Sequence, residues 1–110
     1  MRKLFLFAAL LLAAGCNGSG ATGATCPTSS TLTYESFGRA FFASYCDRCH
    51  ANGIRPAIGN QAAIQSQRAS IDRESAAGPN GVNAAMPENG ARPTDDERRR
   101  LGEWLACGAR

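Results

Sequence analysis

The stretch Phe37-Gly38-Arg39-Ala40-Phe41-Phe42-Ala43-Ser44-Tyr45-Cys46-Asp47-Arg48-Cys49-His50 decides how the chain is read. With Tyr34 before it, the aromatics Tyr34, Phe37, Phe41 and Tyr45 step by three or four residues. Gly38, Phe42 and Cys46 step by four beside them. That is the spacing of a helix; a strand would alternate. Thr33 is a reasonable N-cap, and Glu35 falls in the first turn, where negative charge suits the helix dipole. A helix is therefore predicted from about Thr33 to Cys49. At its end Cys46 and Cys49 lie three apart and His50 follows Cys46 by four, so two thiols and one imidazole project to one side.

Three chemistries use such a set. Cys-x-x-Cys-His is the attachment pattern of a c-type haem. The thiols form thioethers with the two vinyl groups while the imidazole reaches the iron from the same face, which prevents loss of the cofactor outside the cytoplasm. A closed zinc site needs four ligands, and Cys26 and Cys107 are available to supply two. A redox dithiol would sit in an alternating strand–helix pattern, and no strand is evident. The pentapeptide together with an export signal favours haem.

The export signal is at the start of the chain. Arg2 and Lys3 precede an apolar run, Leu4 to Ala14, suited to a secretory h-region and too short to span a bilayer comfortably. It ends in Leu12-Ala13-Ala14-Gly15-Cys16, which resembles a bacterial lipobox and implies acylation of Cys16 after removal of residues 1–15. Asn17 after it resembles outer-membrane sorting. Residues 16–30, rich in Gly, Ser, Thr and Ala, read as a flexible lipidated tether. Residues 31–110 form one small domain that needs a staple or cofactor to hold a limited core.

Processing also changes the charge. The whole chain of 110 residues carries +3, but without Arg2 and Lys3 ten arginines face nine acids, a net +1 with no lysine. That balance excludes the basic excess of a nucleic-acid binder. Of five cysteines, one is assigned to lipid and two to haem. Cys26 and Cys107 remain as a pair that an oxidising compartment would close.

Beyond the pentapeptide, Ala51 to Gly59 reads as a loop and Asn60 to about Ser75 as a second helix, with Ile64, Ala69 and Ile71 as its apolar positions. Ala77 to Pro93, with three glycines and three prolines, reads as a long irregular loop. Thr94-Asp95-Asp96-Glu97 is a capping box that opens the last helix, and Gly108 is a plausible stop. Asp95 with Arg99 and Asp96 with Arg100 are spaced for exposed pairs, opposite an apolar stripe of Leu101, Trp104 and Leu105. The run Arg98-Arg99-Arg100 reads as a solvated face rather than a dock for an acidic partner.

The second axial ligand follows by elimination, given haem. His50 is the one histidine, and after processing Met86 is the one methionine, with no lysine left. A methionine in a loop of small and polar residues has little apolar company, so Met86 is the candidate distal ligand. His50 should donate its other ring N–H to a backbone carbonyl, with the loop around Arg55-Pro56 as the source.

These residues resemble a small class I c-type cytochrome over about 75 to 80 residues. Gly38 and Phe42 stand eight and four before Cys46, Leu101 and Trp104 match the aliphatic–aromatic pair of the family's C-terminal helix, and Met86-Pro87 matches its distal-ligand loop. The resemblance implies an all-α domain of three or more helices around one covalent haem. Its two terminal helices cross, with Gly38 allowing close approach. Cys26 and Cys107 would then fall near the same end, which makes their disulfide reasonable. Arg55 and Arg92, in loops flanking the haem, are candidate propionate contacts. The expected function is transfer of single electrons between redox proteins at a membrane surface, a carrier rather than an enzyme. The alternatives are a zinc or dithiol structural lipoprotein, or a haem ligand sensor with weak Met86 ligation. A haem reading also requires a cavity beside both His50 and Met86.

Overall fold

A computed structural model of the chain describes residues 20–51 and 53–110. The expected signal peptide, the Cys16 lipidation site and Asn17 lie outside the described residues. The first helix opens as a π-helical stretch, Tyr34–Gly38, and continues as α1, Arg39–Tyr45. Thr33 caps it through a reciprocal box: its hydroxyl accepts from the Ser36 amide at 3.0 Å, and the Ser36 hydroxyl accepts from the Thr33 amide at 2.9 Å. The Phe37 and Gly38 amides both donate to the Thr33 carbonyl, at 2.9 and 3.1 Å, and that sharing creates the wide first turn.

At Cys46 the backbone leaves helical geometry, with φ −123°, and α2, Asp47–His50, begins anew. One long helix through Cys49 was expected. The break is local, because the Cys46 carbonyl still accepts from the amides of Cys49 and His50, at 3.2 and 3.0 Å. Cys46, Cys49 and His50 thus remain on one turn. The expected second helix is likewise divided, into α3, Gln61–Ser66, and α4, Arg68–Ser75. Gln67 separates them, and its amide is shared between the carbonyls of Ala63 and Ile64, each 3.1 Å away.

The expected irregular loop holds a short antiparallel hairpin, β1, Ala77–Gly78, and β2, Gly81–Val82, paired Ala77 to Val82 and Gly78 to Gly81. Pro79 and Asn80 make the turn, and Gly81 takes φ +146°, a conformation L side chains avoid. The last helix, α5, Asp95–Ala106, starts at the predicted capping box: Thr94 Oγ1 accepts from the Glu97 amide and Glu97 Oε1 from the Thr94 amide, both at 3.1 Å. The described part of the chain is mostly helical, with helices packed on one apolar core.

That core holds Phe37, Phe41, Phe42, Ile58, Ile64, Ile71, Leu101, Trp104 and Leu105, all buried. Trp104 is its hub, with ring centroids of Tyr34, Phe37 and Phe42 at 6.4, 6.0 and 6.2 Å. The first helix reaches α5 through Gly38: a Cβ there would overlap the benzene half of the Trp104 indole.

Residues 20–30 correct the expectation of a tether running to residue 30. Thr22 is buried, and its amide and hydroxyl donate to the two carboxylate oxygens of Asp72 on α4, at 2.8 and 2.6 Å. Gly78 and Gly102 leave room for the strap, since a Cβ on Gly102 would stand 3.1 Å from Ala24 Cβ and one on Gly78 would press on Thr22. Cys26 is disulfide-bonded to Cys107 just past α5, with Cα atoms 4.8 Å apart. The small, polar composition that reads as linker also suits a backbone laid closely against a folded surface. Among the described residues no helix is long and apolar enough to cross a membrane.

Candidate functional site

The turn Cys46–His50 and the Met86 segment line one cleft that shelters about 180 Å³. Cys46, Cys49 and His50 line it together with Met86 and Pro87, and Phe42, Ile58 and Ile71 are among its apolar lining residues. The structure thus brings Met86 into one cleft with three side chains, Cys46, Cys49 and His50, that stand 36 to 40 residues before it in sequence. Neither Cys46 nor Cys49 is in a disulfide.

His50 is oriented by backbone. Its Nδ1 lies 2.9 Å from the Pro56 carbonyl and 3.0 Å from the Ile54 carbonyl. Carbonyls only accept, so Nδ1 carries the hydrogen and Nε2 keeps its lone pair for a metal. Both acceptors come from the segment Ile54–Pro56, four to six residues after His50.

The Met86 segment is held at several points. The Met86 amide donates to the Glu74 carbonyl at 2.9 Å, and the Asn83 amide to the Ala76 carbonyl at 2.8 Å. Buried Asn83 also donates its side-chain amide to the carbonyls of Gly20 and Asp72, at 2.8 and 2.9 Å. Arg92, a candidate propionate contact, instead donates to the carbonyls of Ala84 and Pro87, at 2.6 and 2.9 Å, and is not among the residues lining the cleft. Arg55, the other candidate, does line it. Arg48 reaches across the mouth to the backbone carbonyl and side-chain oxygen of Asn89, and a Cβ on Gly90 would run into that guanidinium.

Arg98 departs most from the expectation of a solvated face. Arg99 and Arg100 are exposed, and Arg100 pairs with Asp96 at 3.0 Å. Arg98 is only 2 % exposed, and its Nη1 donates to the carbonyls of Ser75, Asn83 and Met86. Burial pulls its pKa below the ordinary arginine value. A signal was present in the sequence: Arg98 precedes Leu101 by three, Gly102 by four and Leu105 by seven, which places it on the buried stripe.

The electrostatics disfavour the two rival chemistries. Burial, aided by the neighbouring Asp47 carboxylate and opposed by Arg98, pushes the Cys46 thiol up to about 12, where a redox dithiol needs a lowered value. Cys26 and Cys107 are used by each other, and among the described residues no three His, Cys, Asp or Glu side chains cluster as a metal site. A covalent haem asks for two free thiols and an oriented imidazole on one turn, apolar walls, and a soft ligand in the same cleft; the cleft has each of these.

Compared with known proteins, the chain matches over residues 36–105 the family model described as "Cytochrome C oxidase, cbb3-type, subunit III". No curated protein and no solved structure matches it significantly.

Proposed function

The chain belongs to the family described as cytochrome C oxidase, cbb3-type, subunit III, a c-type cytochrome domain, and from that membership we propose a monohaem electron carrier with His50 and Met86 as axial ligands. The coarse statement rests on the family: this is a haem-containing electron carrier of a class whose domains are typically exported. The finer reading rests on one observation, that Cys46, Cys49, His50 and Met86 border a single apolar cleft.

When bound, the haem supplies a one-electron couple, which His/Met ligation raises relative to two nitrogen ligands. The protein's own residues do the rest. Cys46 and Cys49 anchor, and His50 is fixed in orientation by the carbonyls of Ile54 and Pro56. Buried Phe42, Ile58 and Ile71 give the cleft apolar lining. Ile54, which is exposed, and Arg48, held on Asn89, are among the residues that line the cleft. With His50 and Met86 both holding the iron, no site would be left for a substrate, and the work would be outer-sphere transfer to redox proteins. Acylation of Cys16 would place that exchange at a bacterial membrane surface, with Asn17 favouring the outer membrane; the residues Leu12 to Cys16 support this part.

A pyridine haemochrome spectrum of the mature protein tests the core of the reading. One covalent haem per chain is expected, lost in the Cys46→Ser, Cys49→Ser double variant. Met86→Ala should keep the haem but let carbon monoxide bind the ferrous protein, which the wild type should refuse. A colourless zinc protein would sink the proposal; carbon monoxide binding by the wild type would favour the sensor.

A further inference from the structure

We propose that Arg98 is the positioning residue for Met86, holding the peptide of the distal ligand so that its thioether stays directed at the iron; this rests on the Met86 reading above. A buried guanidinium is costly unless its donors are satisfied, and the usual partner is a carboxylate. Arg98 has none within salt-bridge distance among the described residues. It donates from Nη1 to three carbonyls instead: Ser75 at 2.8 Å, Met86 at 2.9 Å and Asn83 at 3.0 Å.

The identity of those acceptors matters more than their number. Ser75 ends α4, so its carbonyl is one of the unpaired oxygens at a helix C-terminus, where a cation is also favoured by the dipole. Asn83 and Met86 bracket the segment that carries the ligand. One side chain on α5 therefore joins the end of α4 to the backbone of the Met86 segment at two points. The Met86 amide donates to Glu74, so both polar groups of its backbone are fixed and its side chain alone is left to move. A thioether is a weak ligand, and holding its peptide in place keeps it at the iron without further ordering.

Arg98→Lys tests this, because an ammonium retains the charge but ends one atom short of the Nη1 position, from which all three carbonyls are reached. It should be compared as the haem-loaded protein with wild type and Met86→Ala. Three readouts apply: the ferric thioether–iron charge-transfer band, the rate of carbon monoxide binding to the ferrous form, and hydrogen exchange at the Met86 amide.

The expected result is a weakened band, carbon monoxide binding faster by about tenfold or more, and faster exchange at Met86, with helix content and exchange at Trp104 unchanged. If Met86→Ala differs from wild type but Arg98→Lys does not, the proposal is overturned. If Arg98→Lys loses helix content along with the band, it is overturned too, since Arg98 would then serve the fold as a whole. If Met86→Ala matches wild type, the ligand reading fails and the proposal with it; faster exchange at Met86 in Arg98→Lys would then mark the error as the ligand's identity, not the anchor.

Discussion

Gly38 shows how much of this fold turns on one methyl group. In an ordinary helix, Gly to Ala gains about 1 kcal/mol of propensity. Here the added Cβ overlaps the ring carbons of Trp104, which is fully buried and cannot swing aside. Overpacking a core typically costs about 1–3 kcal/mol, occasionally more, and a rigid indole belongs at the upper end. Gly38→Ala should therefore lose about 2 kcal/mol net in urea denaturation, and Trp104→Phe in the same chain should recover part of it. Strict additivity of the two changes would show that they do not meet. Gly38, Phe42, Trp104, His50 and Met86 were legible because helical spacing, or being the one residue of a type, singles them out. Arg98 and Thr22 were not. The first bonds to backbone carbonyls, which no residue type advertises, and its two arginine neighbours look identical until the buried stripe is traced. The second lies in a stretch whose composition suits a linker as well as a packed strap.

At the scale of elements, spacing gave the helices but not their interruptions. The periodicity of Tyr34, Phe37, Phe41 and Tyr45 fits a π-helical opening as well as an α-helical one, because the difference lies in how Thr33 shares its carbonyl. What joins the first helix to α5, besides Gly38 and Trp104, is a polar contact. Tyr45 donates its hydroxyl to Glu97, with oxygens at 2.9 and 3.1 Å. The backbone N–H of Thr94, chiefly, holds the Glu97 carboxyl below its ordinary value of 4.5. The same contact raises the Tyr45 phenol above its ordinary value of 10.0, with the hydrogen bond to Glu97 as the largest cause. Glu97 therefore contributes stability present above the ordinary carboxyl value and lost as pH falls through its lowered one. Tyr45 contributes stability present below the ordinary phenol value and lost as pH rises through its raised one. Both groups are half-exposed, so Tyr45→Phe should cost only about 1 kcal/mol near neutrality, toward the low end for a bond to a charged acceptor. A series of melting temperatures against pH checks this: the gap between wild type and Tyr45→Phe should be widest near neutrality and close toward both extremes. A gap independent of pH would assign the effect to packing.

Across the whole molecule, the strap of residues 20–30 and the Cys26–Cys107 bond connect the start of the described chain to its far end. The pairing follows from counting cysteines; that the intervening strap lies folded against α4 and α5 does not. The strap's own contacts include Thr22 with Asp72 and the Ser30 hydroxyl on Glu103 at 3.0 Å, and Arg110 donates to the Ser30 carbonyl at 2.7 Å. These hold the two ends together without the covalent bond, so the bond acts mainly on the unfolded chain. With 81 residues of separation, closing the loop is worth roughly 4–5 kcal/mol in the chain-entropy picture. Cys26→Ser with Cys107→Ser should lower the urea midpoint by that much stability and steepen the transition, because the unfolded chain is freed to expand. Cys107 and Arg98 sit about 13 Å apart along α5 at the rise of an α-helix. The double variant should therefore keep the wild-type iron–thioether absorption and its resistance to carbon monoxide in native buffer. A changed spectrum in the folded variant would show that the strap shapes the Met86 segment directly, through Asn83 and its bond to Gly20, and would make the disulfide part of the site rather than a staple for the fold.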